Sequence, residues 1–296
     1  MKKNIQKLLP GVQKNFLLKK YTTFRIGGKV QYFFAAKNKK EIIKAVTVAK
    51  KLDLPFFILG RGSNLLVSDK GFKGIVINFQ FSIFNFQKNK IFAGAGTPLG
   101  RLVNVSAEKS LTGLEWAIGI PGTIGGAVYG NAGAFGKSMK DIVSEVEIFD
   151  SKTQKIKIFG NKKCKFSYRN SIFKKNPNLI ILSVVLKLKK GDKKTIKEKI
   201  QEYSKYRIKT QPLNFSSAGS IFKNPPGTSV GYLIEQCGLK GKRIGNVKIS
   251  EKHANFIINL GKGKAKDVMK LIKLIKKEIK KKFKIELEEE IQFLGF

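Results

Sequence analysis

Three glycine clusters lie within about eighty residues: GRGSN at 60–64, GAGTPLG at 94–100 and GIPGTIGGAVYGNAGAFG at 119–136. In the last, seven of eighteen positions are glycine. Glycine loses more backbone freedom on folding than any other residue, so such density implies something that must approach the backbone closely. Glycine-rich turns also expose successive N–H groups, and these form concavities suited to a pyrophosphate. Any one cluster reads equally well as a tight turn in a β-rich domain. Three of them, interspersed with short strands, favour a phosphate-bearing ligand.

Two familiar nucleotide motifs are excluded by spacing. A dinucleotide fingerprint needs G-x-G-x-x-G with an acidic residue about 20 positions on, and GAGTPLG sets its third glycine one residue too far. A Walker A loop needs G-x-x-x-x-G-K-[ST]. NAGAFGKS at 131–138 ends correctly but begins with Asn131, and no apolar strand precedes it.

The elements that must position these loops alternate. TFRIGGKVQYFFAAKN reads as two short strands, and KKEIIKAVTVAKKLDLP as a helix with Ile42, Ile43, Val46 and Ala49 on one face, ended before Pro55. FFILGRGSNLLVSDKGFKGIVINF gives three strands around a glycine loop and a turn, and KIFAGAGTPLGRLVNVSAEKSLTG a strand entering a helix. IVSEVEIFDSKTQKIKIFG is a hairpin and NLIILSVVLKLKKGD a strand. TIKEKIQEYSKYRIKTQP is a helix stopped by Pro212, LNFSSAGSIFKNPPGT is loop-rich, and SVGYLIEQCG is a short helix. AKDVMKLIKLIKKEIKKKF carries Val268, Ile272, Ile275 and Ile279 as an apolar stripe. KIELEEEIQFLGF reads as a final strand with Ile285, Leu287, Ile291 and Phe293 on one face and Glu286, Glu288 and Glu290 on the other.

The chain has 296 residues, long enough for two or three domains, and a net charge of +39. That charge suggests nucleic acid, but only six of the 59 basic residues are arginine, the type favoured for base-edge and bidentate phosphate contacts. The lysines are spread along the whole chain, and Asn, Ile and Phe are abundant with them, so the excess reads as compositional drift and no specific nucleic-acid partner is expected. No run of about 18 apolar residues is present, and the basic start lacks an apolar h-region and a small-residue cleavage site, so no signal peptide, no membrane association and a cytoplasmic location are expected. Cys164 and Cys237 lie far apart without C-x-x-C spacing, so neither a disulfide framework nor a metal site is expected.

GRGSNLLVSDKGFKGIVI and GLEWAIGIPGTIGGAVYGNAGAFG together resemble the flavin-binding half of the UDP-N-acetylenolpyruvoylglucosamine reductases. The resemblance continues through YTTFRIGG at 21–28, FSYRNSIFK at 166–174, TQPLNFSSAGSIFKNPPG at 210–227, GLKGKRIGNVKISEKHANFIIN at 238–259 and LEEEIQFLG at 287–295. Seven blocks in the family's order cover nearly the whole chain. The direct run from GSIFKNP to GLKG is similar to the family's shorter, second type.

That resemblance implies an α+β protein with a two-subdomain FAD-binding fold of the vanillyl-alcohol-oxidase type and a C-terminal α+β substrate-binding domain. The expected boundaries are 1–57 and 58–205 for the FAD subdomains, with 284–296 joining the second, and 206–283 for the substrate domain. It implies bound FAD, NADPH as co-substrate, a UDP-sugar substrate and a monomer. FAD contacts would come from Gly60, Arg61, Gly62, Ser63, Asn64 and Leu65, from Gly119, Gly122, Thr123, Gly125, Gly126 and Ala127, and from Asn131, Ala132 and Gly133. Arg169 matches the arginine that binds the substrate carboxylate, Ser220 the proton donor, and Glu290 a carboxyl group that shares a proton with the intermediate. Tyr168, Lys223 and Asn224 match substrate-binding positions, while Arg243 and His253 fall in matching blocks without a role. Glu289 stands where the family more often has proline. Another flavin oxidoreductase of the same fold, or a basic nucleic-acid-binding protein, are the alternatives.

Overall fold

The computed structural model describes residues 5–296. In chain order its principal elements are β1 (Gln13–Leu17), β2 (Lys29–Ala36), α1 (Lys39–Lys51), β3 (Phe56–Leu59), β4 (Leu65–Val67), β5 (Phe72–Phe79), β6 (Phe84–Gln87), β7 (Lys90–Gly94), α2 (Leu99–Glu108) and α3 (Ile124–Tyr129). There follow β8 (Val143–Asp150), β9 (Lys155–Gly160), β10 (Leu179–Lys187), α4 (Lys193–Thr210), β11 (Ser216–Ser220), α5 (Val230–Gln236), β12 (Arg243–Ile244), β13 (Val247–Ile249), β14 (Phe256–Asn259), α6 (Ala265–Phe283) and β15 (Gln292–Leu294).

The chain divides into two compact units, each assembled from three stretches. The first comprises residues up to Val12, Phe33–Gly60 and Ile75–Arg207; the second comprises Gln13–Tyr32, Arg61–Gly74 and Ile208–Phe296. Two of the changeovers fall after Gly60 and after Arg207. Of the others, one falls at the start of β1, after Val12, and two fall inside β2 and β5, where no change of composition could mark them.

The first unit is organised by an antiparallel sheet of order β9-β8-β10-β7-β6. Its register sets Val146 opposite Phe159 on one side and Val184 on the other, and Val184 opposite Ala93. The β8–β9 hairpin is the one expected from its alternation. Within the same unit β3 runs parallel to β5, pairing Ile58 with Ile77. Helix α1 starts on Asn38, whose side chain accepts the Glu41 amide, while Glu41 reaches back to the Lys37 amide. It buries Ile42, Ala45, Val46, Val48 and Ala49.

The second unit carries a sheet of order β11-β14-β13-β12, and β15 pairs in parallel with β4, Phe293 opposite Leu66. Its core joins Phe24, Leu66, Phe222 and Ile257 to the stripe of α6. Val268, Ile272, Ile275 and Ile279 are all buried there, as the helical spacing requires, with Leu271 beside them.

Three local expectations are corrected. Residues 23–28 form no strand, because Arg25 is left-handed (φ 56°) and Gly28 abuts Asp69, whose carbonyl would lie 2.3 Å from an added Cβ. The stretch expected to be loop contains β11, held by β14 through Ser217 opposite Ile258. Regular strand in the last segment is confined to β15; from 284 to 291 only an isolated bridge of Glu289 to Phe222 forms. The alternation of burial nonetheless holds there as far as Ile291, with Leu287 and Ile291 buried and Glu286 and Glu288 exposed. No helix of the described residues is long and apolar enough to cross a membrane.

Candidate active site

In the first unit the long glycine stretch is folded against its own unit. Leu99 donates to the Gly122 carbonyl (3.1 Å), Ile124 to Thr97 (2.9 Å) and Gly125 to Ala95 (2.9 Å), so the entry to α3 is laced to the loop after β7. Buried Thr123 caps α3 by accepting the Gly126 amide. A Cβ on Gly125 would lie 2.7 Å from the Ala95 Cβ, one on Gly133 2.6 Å from the Lys137 carbonyl, and one on Gly60 2.8 Å from Thr123 Oγ1. Much of the glycine density therefore answers protein packing. Gly126 differs, since its nearest neighbour would be Thr123 Oγ1 at 3.6 Å, leaving space over its Cα.

Tyr168 and Arg169 form the tip of a two-residue turn closed by reciprocal 3.1 Å hydrogen bonds between Ser167 and Asn170. Arg169 is left-handed (φ 52°), donates through Nη1 to the Gly133 carbonyl (2.9 Å) and lies 5.4 Å over the Tyr168 ring. Asn131, 4% exposed, fastens this turn to the glycine stretch. Its Nδ2 donates to the Ser167 carbonyl (2.8 Å) and its Oδ1 accepts the Lys140 amide (3.0 Å).

Sequence reasoning assigned nothing to Arg207, near the end of α4. It is 8% exposed, lies 5.5 Å over Phe135, and its Nε is buried without a hydrogen-bond partner. Phe135 stacks in turn on Tyr203 at 4.0 Å. Burial, and then the nearby Arg169 charge, push the Arg207 guanidinium below its ordinary range. Two guanidinium groups close enough to repel, one of them desolvated, make a site that gains from an anion. The orphaned donor and the space over Gly126 fit an anionic, planar cofactor or a carboxylate-bearing substrate. The rarity of arginine in a lysine-rich chain was the one available signal for Arg207.

The second unit holds the other matched residues. Ser220 ends β11 beyond a register shift that accompanies left-handed Gly219 (φ 78°). The next two residues are fixed by buried Asn255, through its backbone carbonyl and its side chain. Ile221 donates to the Asn255 carbonyl (2.8 Å), Phe222 to its Oδ1 (3.0 Å), and its Nδ2 returns to the Phe222 carbonyl (2.9 Å). Glu290 donates its amide to the Ile221 carbonyl at 2.8 Å, which sets the Ser220 and Glu290 segments side by side. Asn64, from the GRGSN loop, brackets Glu290. Its Nδ2 donates to the Glu290 carbonyl (3.1 Å) and its carbonyl accepts from Gln292 (3.0 Å). Arg61 is exposed, Leu65 is buried in β4, and left-handed Gly62 packs on Tyr21 and Thr22, where an added Cβ would meet the Tyr21 carbonyl at 2.3 Å.

Three ion pairs flank Glu290: Lys280 to Glu286 (2.6 Å), Lys223 to Glu288, and Lys276 to Glu289 (2.9 Å). Glu289 is thus occupied by α6, and Lys223 by Glu288. Asn224 Oδ1 accepts the Val230 amide (3.0 Å) at the start of α5. His253 stands edge-on to Phe256 with a buried Nδ1 that has no hydrogen-bond partner, and no group of three His, Cys, Asp or Glu among the described residues could hold a metal ion.

Residues 30–158 match a family model described as an FAD binding domain, and residues 211–294 one described as UDP-N-acetylenolpyruvoylglucosamine reductase, C-terminal domain. The UDP-N-acetylenolpyruvoylglucosamine reductase of Caldicellulosiruptor bescii is 46% identical over 95% of this chain and 90% of its own length. That of Caldanaerobacter subterraneus is 44% identical over 94% and 92%. Among solved structures, the UDP-N-acetylenolpyruvylglucosamine reductase of Thermus caldophilus superimposes with a TM-score of 0.82 at 38% identity, covering 94% of this chain and 97% of that one.

Proposed function

Because this chain belongs to the UDP-N-acetylenolpyruvoylglucosamine reductase family, an FAD-binding group acting in peptidoglycan precursor synthesis, we propose that in the cytoplasm it reduces UDP-N-acetylglucosamine enolpyruvate to UDP-N-acetylmuramate at the expense of NADPH. FAD, when bound, supplies hydride transfer from NADPH to the enolpyruvyl CH₂ carbon. The protein's own task is to orient the substrate, stabilise negative charge on the adjoining carbon and its carboxylate, and deliver one proton to that carbon.

Arg169 takes the substrate carboxylate, because a guanidinium remains charged and forks two N–H bonds toward both oxygens. Ser220 Oγ gives the proton. A hydroxyl is a weak acid, and it serves because the enediolate is strongly basic and held close. Glu290 shares a proton with the substrate carboxylate and so spreads its charge. Tyr168, Lys223 and Asn224 line the substrate, with Lys223 exchanging Glu288 for the diphosphate. The glycine loops assigned above hold FAD, and Arg207 adds a second cation beside Arg169.

The observation that carries this reading is the 2.8 Å hydrogen bond from the Glu290 amide to the Ile221 carbonyl, which seats the carboxyl-bearing segment beside the serine. Stopped-flow measurement of the two half-reactions tests it. Ser220→Ala is expected to leave flavin reduction by NADPH nearly intact and to slow product formation by more than about 10³-fold. An equal fall in both half-reactions sinks the proton-donor role, and a purified protein that binds no flavin sinks the reductase reading altogether.

A further inference from the structure

The second unit contains a basin of about 560 Å³ that shares no lining residue with the site proposed for the reductase chemistry. Lys19, Lys20, Arg25 and Lys262 stand around it with a single carboxylate, Asp69. That carboxylate is turned to backbone. Its two oxygens accept the Ala265 amide (2.9 Å) and the Lys266 amide (3.0 Å) at the start of α6. Among the described residues, none of the four cations takes part in an ion pair.

A lysine-rich chain carries cations on every surface, so charge alone would mean little. Here two of the cations are built in. Arg25 and Lys262 both occupy left-handed backbone (φ 56° and 57°), a conformation unfavourable to long side chains unless the surroundings impose it. One buried amide imposes both. Asn259 is 7% exposed; its Nδ2 donates to the Phe24 carbonyl (2.9 Å), next to Arg25. Its Oδ1 accepts both the Gly261 amide (2.9 Å) and the Gly263 amide (3.0 Å), the two residues that enclose Lys262. The side chain of Arg25 is also folded back over the Lys20 carbonyl. These charges are therefore held on tied loops around a concavity, which lowers the entropy lost when they converge on one anion.

We infer that this basin binds a compact oligophosphate, a chain of two or three phosphoryl groups either free or as part of a nucleotide. Several cations around one depression favour a multiply charged anion over a single carboxylate. The bounded, 560 Å³ shape fits a small ligand and not an extended nucleic-acid backbone, which would need a continuous basic track.

Isothermal titration of the purified, flavin-loaded protein with inorganic tripolyphosphate at about 0.05 M salt tests the assignment. Saturable one-to-one binding is expected, weakened at least about 20-fold in Lys19→Ala/Lys20→Ala/Lys262→Ala and within about 3-fold of the parent in Lys270→Ala/Lys273→Ala/Lys277→Ala, which removes the same charge from the exposed face of α6. Asn259→Ala keeps every charge and is expected to cost about 5- to 10-fold by releasing both loops. ATP binding within about 5-fold of tripolyphosphate indicates that the phosphate chain is what is read, whether free or nucleotide-borne. Equal losses in the two triple variants, absence of one-to-one saturation, or tighter binding of a twelve-residue oligothymidylate than of tripolyphosphate would overturn the inference.

Discussion

In the first unit, burial leaves one guanidinium donor of Arg207 without a hydrogen-bond partner, whereas in the second, a set of hydrogen bonds fixes the segments that carry Ser220 and Glu290. Arg207 is desolvated beside a like charge, with a buried Nε that has no hydrogen-bond partner. Across the other unit, Asn255 alone makes or receives three hydrogen bonds that hold Ile221 and Phe222, and Asn64 adds two around Glu290. The first arrangement holds electrostatic energy in reserve for an anion. The second uses hydrogen bonds to fix where a hydroxyl and a carboxyl group stand. A reaction that makes an anion and then protonates it needs both kinds of region.

The contrast can be broken most severely at Arg169. Arg169→Ala is expected to slow substrate reduction by about 10²- to 10³-fold, the usual loss for one donor aimed at developing charge, while leaving flavin reduction by NADPH within about 3-fold. Equal effects on both steps, read by stopped flow, would mean that the residue only supports the fold.

Asn255→Ala addresses the other side. It strands the amide and carbonyl of buried Phe222, so a loss of about 2–4 kcal/mol in stability is expected by denaturant titration. A loss below about 1 kcal/mol would show that the second region does not depend on this amide.

The glycine stretch sharpens the comparison further, because neighbouring positions should respond differently. Gly125→Ala drives a Cβ to 2.7 Å from the Ala95 Cβ and is expected to cost about 1–3 kcal/mol. Gly126→Ala meets nothing nearer than 3.6 Å and is expected to leave the melting temperature within a few degrees while weakening FAD binding. Identical melting temperatures for both would remove the distinction between glycines needed for packing and glycines needed for the cofactor.

The smallest effect concerns His253. Burial, with the Lys240 charge adding to it, holds the imidazole below its ordinary pKa of 6.5. The unfolded chain then takes up this proton first as pH falls. Stability from this residue is fully present above about pH 6.5 and is lost as pH drops toward the folded value. The melting temperature should therefore be lower at pH 5.5 than at 7.5, and His253→Gln should flatten that difference. An unchanged slope in the variant would assign the pH dependence elsewhere.

Periodic features were legible from sequence, and features decided by tertiary contact were not. The α6 stripe was readable because a 3.6-residue repeat survives any surroundings, and the β8–β9 hairpin because alternation does too. The glycine stretch was read as clearance for a ligand, yet Gly125 and Gly133 face Ala95 and Lys137 of the same unit. Nothing in one sequence distinguishes those two demands. Asn131 and Asn255 are asparagines in glycine- or loop-rich surroundings, and only the fold reveals which carbonyl each one holds. Arg207 lies on a helix that is otherwise largely exposed, and its burial comes from packing against Phe135, more than seventy residues earlier.

The parallel pairing of β15 with β4 has a consequence for the order of events during synthesis. Leu65–Val67 are made early, and their partners Gln292–Leu294 more than two hundred residues later. Asn64 waits equally long for Glu290. The first unit has all its residues once Arg207 has been made, whereas the second has its earliest segments in hand and must keep them open until residue 294 leaves the ribosome. During that interval the apolar residues of β4, among them Leu66, depend on something other than their native neighbours to stay soluble. The abundance of lysine along the chain gives the nascent polypeptide a net repulsion from its copies over that period.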